Sequence, residues 1–263
     1  MIKSKLLQQS EADNLKIGSV TYTSRLIVGT GKYSSEKIAK KGINASGAEL
    51  VTLAIKRFNK DDSSENILKP IGKRKLLPNT AGVLTSEEAI RSAYISKELF
   101  QTKLLKLEII SSPKNLDPNM EETLKAAKLL TKEDFEIYVY CDRNIDNCKR
   151  LEDMGCVAIM PLGSSIGSGR GFDNIADLEK LRSKVSQTLI VDAGLGVPSE
   201  ASVVMEMGYD AVLVNSAIAR AKDPVKMALS FKKGVEAGRL AYLSGRIPIS
   251  KAAKASSPTS FLR

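Results

Sequence analysis

Short apolar runs recur along this chain at intervals of a few tens of residues. Most give way to a polar or glycine-bearing turn and then to a stretch with helical period. The runs are Leu26–Gly29, Leu50–Ile55, Lys75–Pro78, Leu104–Ile110, Glu136–Tyr140, Val157–Pro161, Leu189–Asp192 and Ala211–Asn215. Between them the pattern predicts helices over Ser86–Phe100, Met120–Leu130, Asp146–Met154 (stopped by Gly155), Ser199–Met207 (stopped by Gly208), and from near Val225, behind Asp223-Pro224. Strand and helix alternating eight times imply a parallel sheet with crossover helices. The strand count and short strands favour closure into an α/β (β/α)8 TIM barrel.

The length fits that reading: 263 residues make one such domain over 1–263, with a short polar lead over about 1–15 and a polar tail over about 250–263 that reads as mobile. No apolar run reaches the roughly 18 residues of a membrane span. The first residues lack the apolar core of a signal peptide, and Glu11 and Asp13 suit a transit peptide poorly. The protein is therefore expected to stay where it is made, away from membranes.

Charge and residue types narrow the chemistry. The net charge of +10 raises the question of nucleic acid, but the lysines are spread along the chain, with six Phe and no Trp for stacking. A lysine-rich solvated surface is the expected cause, and a positive rim for phosphate or an acidic partner the next. Cys141, Cys148 and Cys156 fit no zinc spacing and read as reduced, core-facing thiols. The chain has no histidine, which removes His-based triads and His-ligated metals and leaves acid–base work to Lys, Asp, Glu, Tyr or Cys.

In a barrel, function sits in the loops at the C-terminal strand ends. Those after runs six to eight hold Gly163 to Gly171, Asp192 to Gly196, and Asn215-Ser216, small residues that let an anion approach the backbone. The fourth run, Lys103–Ile110, carries charges inside an apolar stretch. Residues two apart share a face, so Lys106 and Glu108 point into the lumen, while Leu105, Leu107 and Ile109 point toward the helices. A structural ion pair and a catalytic lysine are both compatible with that placement. As a nucleophile the lysine must be neutral, and an unperturbed one is only about 0.04% neutral at pH 7. Burial would lower its pKa and Glu108 would raise it. Asp192, at the end of run seven, reads either as a general base or as a turn former.

With these residues placed, the chain resembles the thiazole synthase family of the thiamin pathway over nearly its whole length from about residue 15. The resemblance rests on Gly29–Tyr33, Leu76–Thr80, Lys106-Leu-Glu108, Lys149–Glu152 with Gly155-Cys156, Met160-Pro161 through Ile166–Gly169, Val191–Gly194 and Leu213–Ser216. It departs from the family at Arg143-Asn144-Ile145, where an acidic residue and proline are common, and at Ser165, where proline is common.

The resemblance implies a barrel that binds 1-deoxy-D-xylulose 5-phosphate as an imine on Lys106, with Glu108 and Asp192 as acid–base carboxylates. It implies ligand contacts at Gly167, Ala193, Gly194, Asn215 and Ser216, and neither metal nor redox cofactor. It further implies sulfur from a small carrier protein with a C-terminal thiocarboxylate, dehydroglycine from a supplying enzyme, and a homo-oligomer (dimer or tetramer). Gly238–Arg246 resembles cyanobacterial and plastid-encoded members, so the plastid stroma is the expected compartment, or the cytoplasm for a bacterial chain. A Schiff-base aldolase acting on another sugar phosphate would share Lys106 and the phosphate loops. A basic scaffold binding RNA or an acidic partner rests on net charge alone.

Overall fold

The apolar runs become strands, and their alternation sorts side chains to two sides of a barrel. The computed structural model describes residues 13–57 and 68–253. The polar lead and the C-terminal tail fall for the most part outside them. Eight parallel strands form the sheet: β3 (Leu26–Gly29), β4 (Leu50–Ala54), β5 (Lys75–Asn79), β6 (Leu104–Leu107), β7 (Glu136–Cys141), β8 (Ala158–Pro161), β9 (Ile190–Asp192) and β10 (Ala211–Val214). Their order is β8-β7-β6-β5-β4-β3-β10-β9. Parallel bridges Ile159↔Leu189 and Leu162↔Asp192 join the two ends, so the sheet closes as a (β/α)8 barrel.

The predicted helices appear as α2 (Ser86–Phe100), α3 (Met120–Leu130), α4 (Ile145–Asp153), α6 (Pro198–Glu206) and α8 (Pro224–Ser244). The side chains of Thr85, Asn119, Asn144 and Asp223 accept from the first-turn N–H groups of α2, α3, α4 and α8. Three further helices, α1 (Glu36–Ser46), α5 (Ile175–Lys184) and α7 (Ser216–Ala219), stand where the pattern singled out none. In α1 the buried face is made of Ala39, Gly42, Ile43 and Ser46, mostly small residues, and its glycine is where Tyr33 packs closely. The three cysteines are free and buried, with Cys141 and Cys148 sulfurs 3.8 Å apart.

Leu105, Leu107 and Ile109 join the cluster between strands and helices, each fully buried and each stabilising the fold by about 1.5–3 kcal/mol. The inward positions divide the lumen along its axis. At the N-terminal end Leu50, Leu77, Leu104, Tyr138 and Ile190 form an apolar floor. One step further along the same strands stand Thr52, Asn79, Lys106 and Asp192, all lining a cavity at the C-terminal end.

A hairpin that the sequence reading did not single out closes the floor from below. Its strands, β1 (Leu15–Ile17) and β2 (Val20–Tyr22), send Leu15, Ile17 and Tyr22 into the apolar cluster. The Gly18-Ser19 turn sits on Glu136, whose two carboxylate oxygens each accept from Ser19 N–H at 3.1 Å. A Cβ at Gly18, whose φ is +55°, would displace that carboxylate and loosen its hold on the turn.

Candidate active site

Strand β6 sets the centre of the site. Lys106 points inward because its neighbours Leu105 and Leu107 pack outward, and Glu108 follows on the same face. The Thr80 hydroxyl fixes the backbone there, accepting from Glu108 N–H at 2.9 Å and donating to Glu108 carbonyl at 2.8 Å. Asp192 arrives from the end of β9. Lys106 Nζ stands 2.6 Å from Glu108 Oε2 and 2.8 Å from Asp192 Oδ2. The three side chains are only 4%, 7% and 3% exposed. The contact with Asp192 is a charge contact without hydrogen-bond alignment, and Oδ2 has no aligned donor. The Tyr140 ring lies 5.4 Å from Nζ and offers its face to the cation.

The competition left open by the sequence is settled by this geometry. Burial pulls the Lys106 ammonium down, but Asp192 and Glu108 together outweigh it and hold the group above its ordinary value. Burial pushes the Asp192 carboxyl up, against the pull of Lys106 and with the help of Glu108. The site therefore holds a charged lysine beside a carboxylate made more basic than usual.

The cavity above this group, about 680 Å³, is lined by Lys106, Glu108, Asp192, Gly167, Ala193, Gly194, Asn215 and Ser216 together. All eight residues singled out in the sequence thus converge. Gly167 has open space beside it up to the Ser216 hydroxyl, 3.7 Å from where a Cβ would stand. Ala193 and Gly194 both take positive φ, 69° and 86°, so the chain turns sharply right after Asp192. The glycine loops are laced together: Gly171 N–H donates to Gly194 carbonyl at 2.9 Å, and Gly163 N–H to Ala193 carbonyl at 3.3 Å. A Cβ on Gly194 would fall 2.3 Å from Ser164 N.

Asn215 ties the first and last strands together. With its amide oriented to satisfy both partners, its nitrogen donates to the Gly31 carbonyl at 3.0 Å and the Gly29 carbonyl at 3.3 Å. The departure at Arg143 also has a structural counterpart. Its guanidinium donates to the carbonyls of Leu162 (3.2 Å) and Gly163 (2.8 Å) at the root of the glycine loop.

Sequence reasoning missed four contributors. Asn79 donates to Thr52 Oγ1 at 2.8 Å beside Lys106, Thr80 anchors Glu108, Tyr140 faces Nζ, and Lys56 lines the mouth. Asn79 and Thr80 lie inside the quoted segment Leu76–Thr80, which was a signal without a role.

Fold and site together define a (β/α)8-barrel protein whose mouth joins glycine-rich loops to a buried lysine held between two carboxylates. The model of the family described as "Thiazole biosynthesis protein ThiG" matches residues 16–258. Among relatives, the thiazole synthase of Dechloromonas aromatica is 50% identical, covering 94% of this chain and 98% of its own length. That of Paramagnetospirillum magneticum is 47% identical over 96% of this chain and 79% of its own length. Among solved structures, the Amycolatopsis orientalis BexX/CysO complex contains a chain that superposes with a TM-score of 0.81 at 29% identity, covering 90% of this chain and 98% of that one. The chain belongs to the ThiG family of thiazole biosynthesis proteins.

Proposed function

We propose that this chain, a thiazole synthase of thiamin biosynthesis, works through an imine on Lys106. The carrying observation is the lysine buried between Glu108 and Asp192 at the base of a cavity rimmed by glycine-rich loops. The substrate is 1-deoxy-D-xylulose 5-phosphate, its phosphate held by the glycine loops at Gly167, Ala193, Gly194 and Ser216. Its ketone then lies toward Lys106. Proton transfer from the Lys106 ammonium to a carboxylate releases the amine, and burial, which pushes the Asp192 carboxyl up, suits Asp192 to receive that proton. The amine adds to the ketone, the carbinolamine forms, and water leaves to give the imine. Glu108 and Asp192 deliver and remove the protons of the later steps.

Sulfur comes from a small carrier protein bearing a C-terminal thiocarboxylate, and dehydroglycine (2-iminoacetate) supplies the remaining ring atoms. The product is a thiazole phosphate carboxylate. That BexX was solved with a protein partner, CysO, supports a protein partner here.

The test is reconstitution: the chain, the ketose phosphate, glyoxylate plus ammonia as the source of iminoacetate, and the thiocarboxylated carrier, with product followed by mass spectrometry. The thiazole product should form with the parent, and Lys106→Ala should lower the rate by about a thousandfold or more. An equal rate in the folded variant would remove Lys106 from the mechanism.

A further inference from the structure

The cavity carries basic side chains on more than one of its sides. Its lining includes the basic side chains Lys32, Lys56, Lys106 and Arg220, against the carboxylates Glu108 and Asp192. Lys106 is neutralised by its carboxylates, and Arg220 sits at the end of α7, on the side of the glycine loops. Lys56 is placed differently. It follows β4 in the turn Ile55–Arg57, and its Nζ donates to the Gly82 carbonyl, beyond β5, at 2.6 Å. In the closed barrel β4 is four strands from β8 and β5 is four strands from β9. The Lys56–Gly82 contact therefore stands across the mouth from Gly167 and Gly194, with Lys106 rising from β6 between the two sides.

Lys56 is an exposed ammonium with no carboxylate partner among the described residues. A backbone carbonyl satisfies one of its three donors and none of its charge. The aliphatic chain folds over Gly82, whose absent Cβ would meet Lys56 Cδ at 3.8 Å, which keeps the ammonium at the cavity edge.

The geometry points to a second anion subsite at the mouth, opposite the phosphate loops, in which Lys56 binds a carboxylate. The identity of that carboxylate rests on the function proposed above: it belongs to the two-carbon iminoacetate, which must enter beside an imine already anchored by its phosphate. A single ammonium suits a small monocarboxylate, where a planar guanidinium is not required. The same placement orients the imino carbon inward toward Lys106 and leaves the carboxylate at the rim, as in a product bearing phosphate and carboxylate at opposite ends.

The test separates this subsite from the imine. Lys56→Ala and Lys56→Arg are compared with the parent in two assays. In the first, borohydride traps the ketose phosphate on Lys106 without the two-carbon substrate. In the second, KM for glyoxylate is measured in steady-state turnover at fixed ammonia. Trapping should stay within about twofold in both variants. KM for glyoxylate should rise about tenfold or more in Lys56→Ala, as expected for loss of one charge-assisted contact, with kcat within about threefold. Lys56→Arg should recover most of the loss. An unchanged KM in Lys56→Ala with trapping intact overturns the Lys56 assignment alone. A parallel loss of trapping would show that Lys56 supports the site as a whole, and also overturns it. No adduct in the parent would remove the imine reading and this assignment with it.

Discussion

Lys106 shows how three side chains set one another's state. Charged groups inside an apolar strand are costly unless paired, which is why Lys106 and Glu108 stand out in the bare sequence. The pairing partner from β9, Asp192, could be located as a strand end but not as a contact, because that contact joins residues 86 positions apart. Its effect is nevertheless decisive, since two carboxylates rather than one hold the lysine protonated. Glu108→Gln removes one of them, so the Lys106 pKa should fall. The lysine should then react with a small electrophile such as cyanate at lower pH than in the parent, by about one pH unit or more for a partner this close. A pH profile of Lys106 modification identical to the parent's would show that Asp192 alone governs the lysine. Asn79, Thr80 and Tyr140 were not legible as site residues because ordinary polar and aromatic types carry no sign of what they face. Lys56 was hidden for another reason: it is one of 40 Lys and Arg residues, most of which solvent alone explains.

At the scale of elements, the glycine loops were legible as turns at the strand ends, while the way they brace one another was not. A glycine motif shows that the backbone needs freedom, and the structure shows what occupies the space a side chain would take. Gly194 combines a φ of +86° with a Ser164 backbone nitrogen 2.3 Å from its missing Cβ. Gly194→Ala should therefore lower stability by about 2–4 kcal/mol and weaken binding of the phosphorylated ketose. Gly155 is the control: its φ is +89°, yet nothing lies within 4 Å of the missing Cβ. Gly155→Ala should carry only the backbone strain and leave ligand binding unchanged. Thermal unfolding and ligand titration of the two variants check both statements, and equal binding in both would contradict the bracing of the loops. Regular strands and capped helices were read to within one or two residues except at β6, where Ile109 and Ile110 make only isolated bridges. The helix α5 escaped because surface charge blurs its apolar stripe, and α1 because its buried face is made of Ala39, Gly42, Ile43 and Ser46, mostly small residues that carry little apolar bulk.

The whole barrel is built as a polar mouth above an apolar base, and its closure at the base is the least legible part. The hairpin β1–β2 uses two three-residue strands around Gly18-Ser19, a turn signal whose short flanks gave little periodicity to read. The chain entering this hairpin is tied to the last helix. Asp13 meets Arg25 at 2.9 Å and the Arg239 Nε at 3.0 Å, linking residues 226 positions apart. Burial pushes the Asp13 carboxyl up, and Arg239 and Arg25 more than reverse this, leaving it below its ordinary value. A depressed carboxyl stabilises the fold above its unfolded pKa, about 3.9, and that contribution disappears as pH falls through the folded value. Asp13→Asn should thus cost about 1 kcal/mol or less at pH 7, given the partial exposure of the pair. The difference in Tm between parent and variant should shrink toward zero on acidification below about pH 4. A difference constant from pH 7 to pH 3 would place the effect in packing rather than charge.

The central claim is that Lys106 forms an imine with a phosphorylated ketone. Its most direct test is to incubate the protein with 1-deoxy-D-xylulose 5-phosphate, reduce with borohydride, digest, and locate the modified peptide by mass spectrometry, with Lys106→Ala alongside. The account predicts one reduced adduct, on Lys106, absent from the variant. A folded parent with no adduct, or an adduct that persists on another lysine when Lys106 is removed, would contradict it.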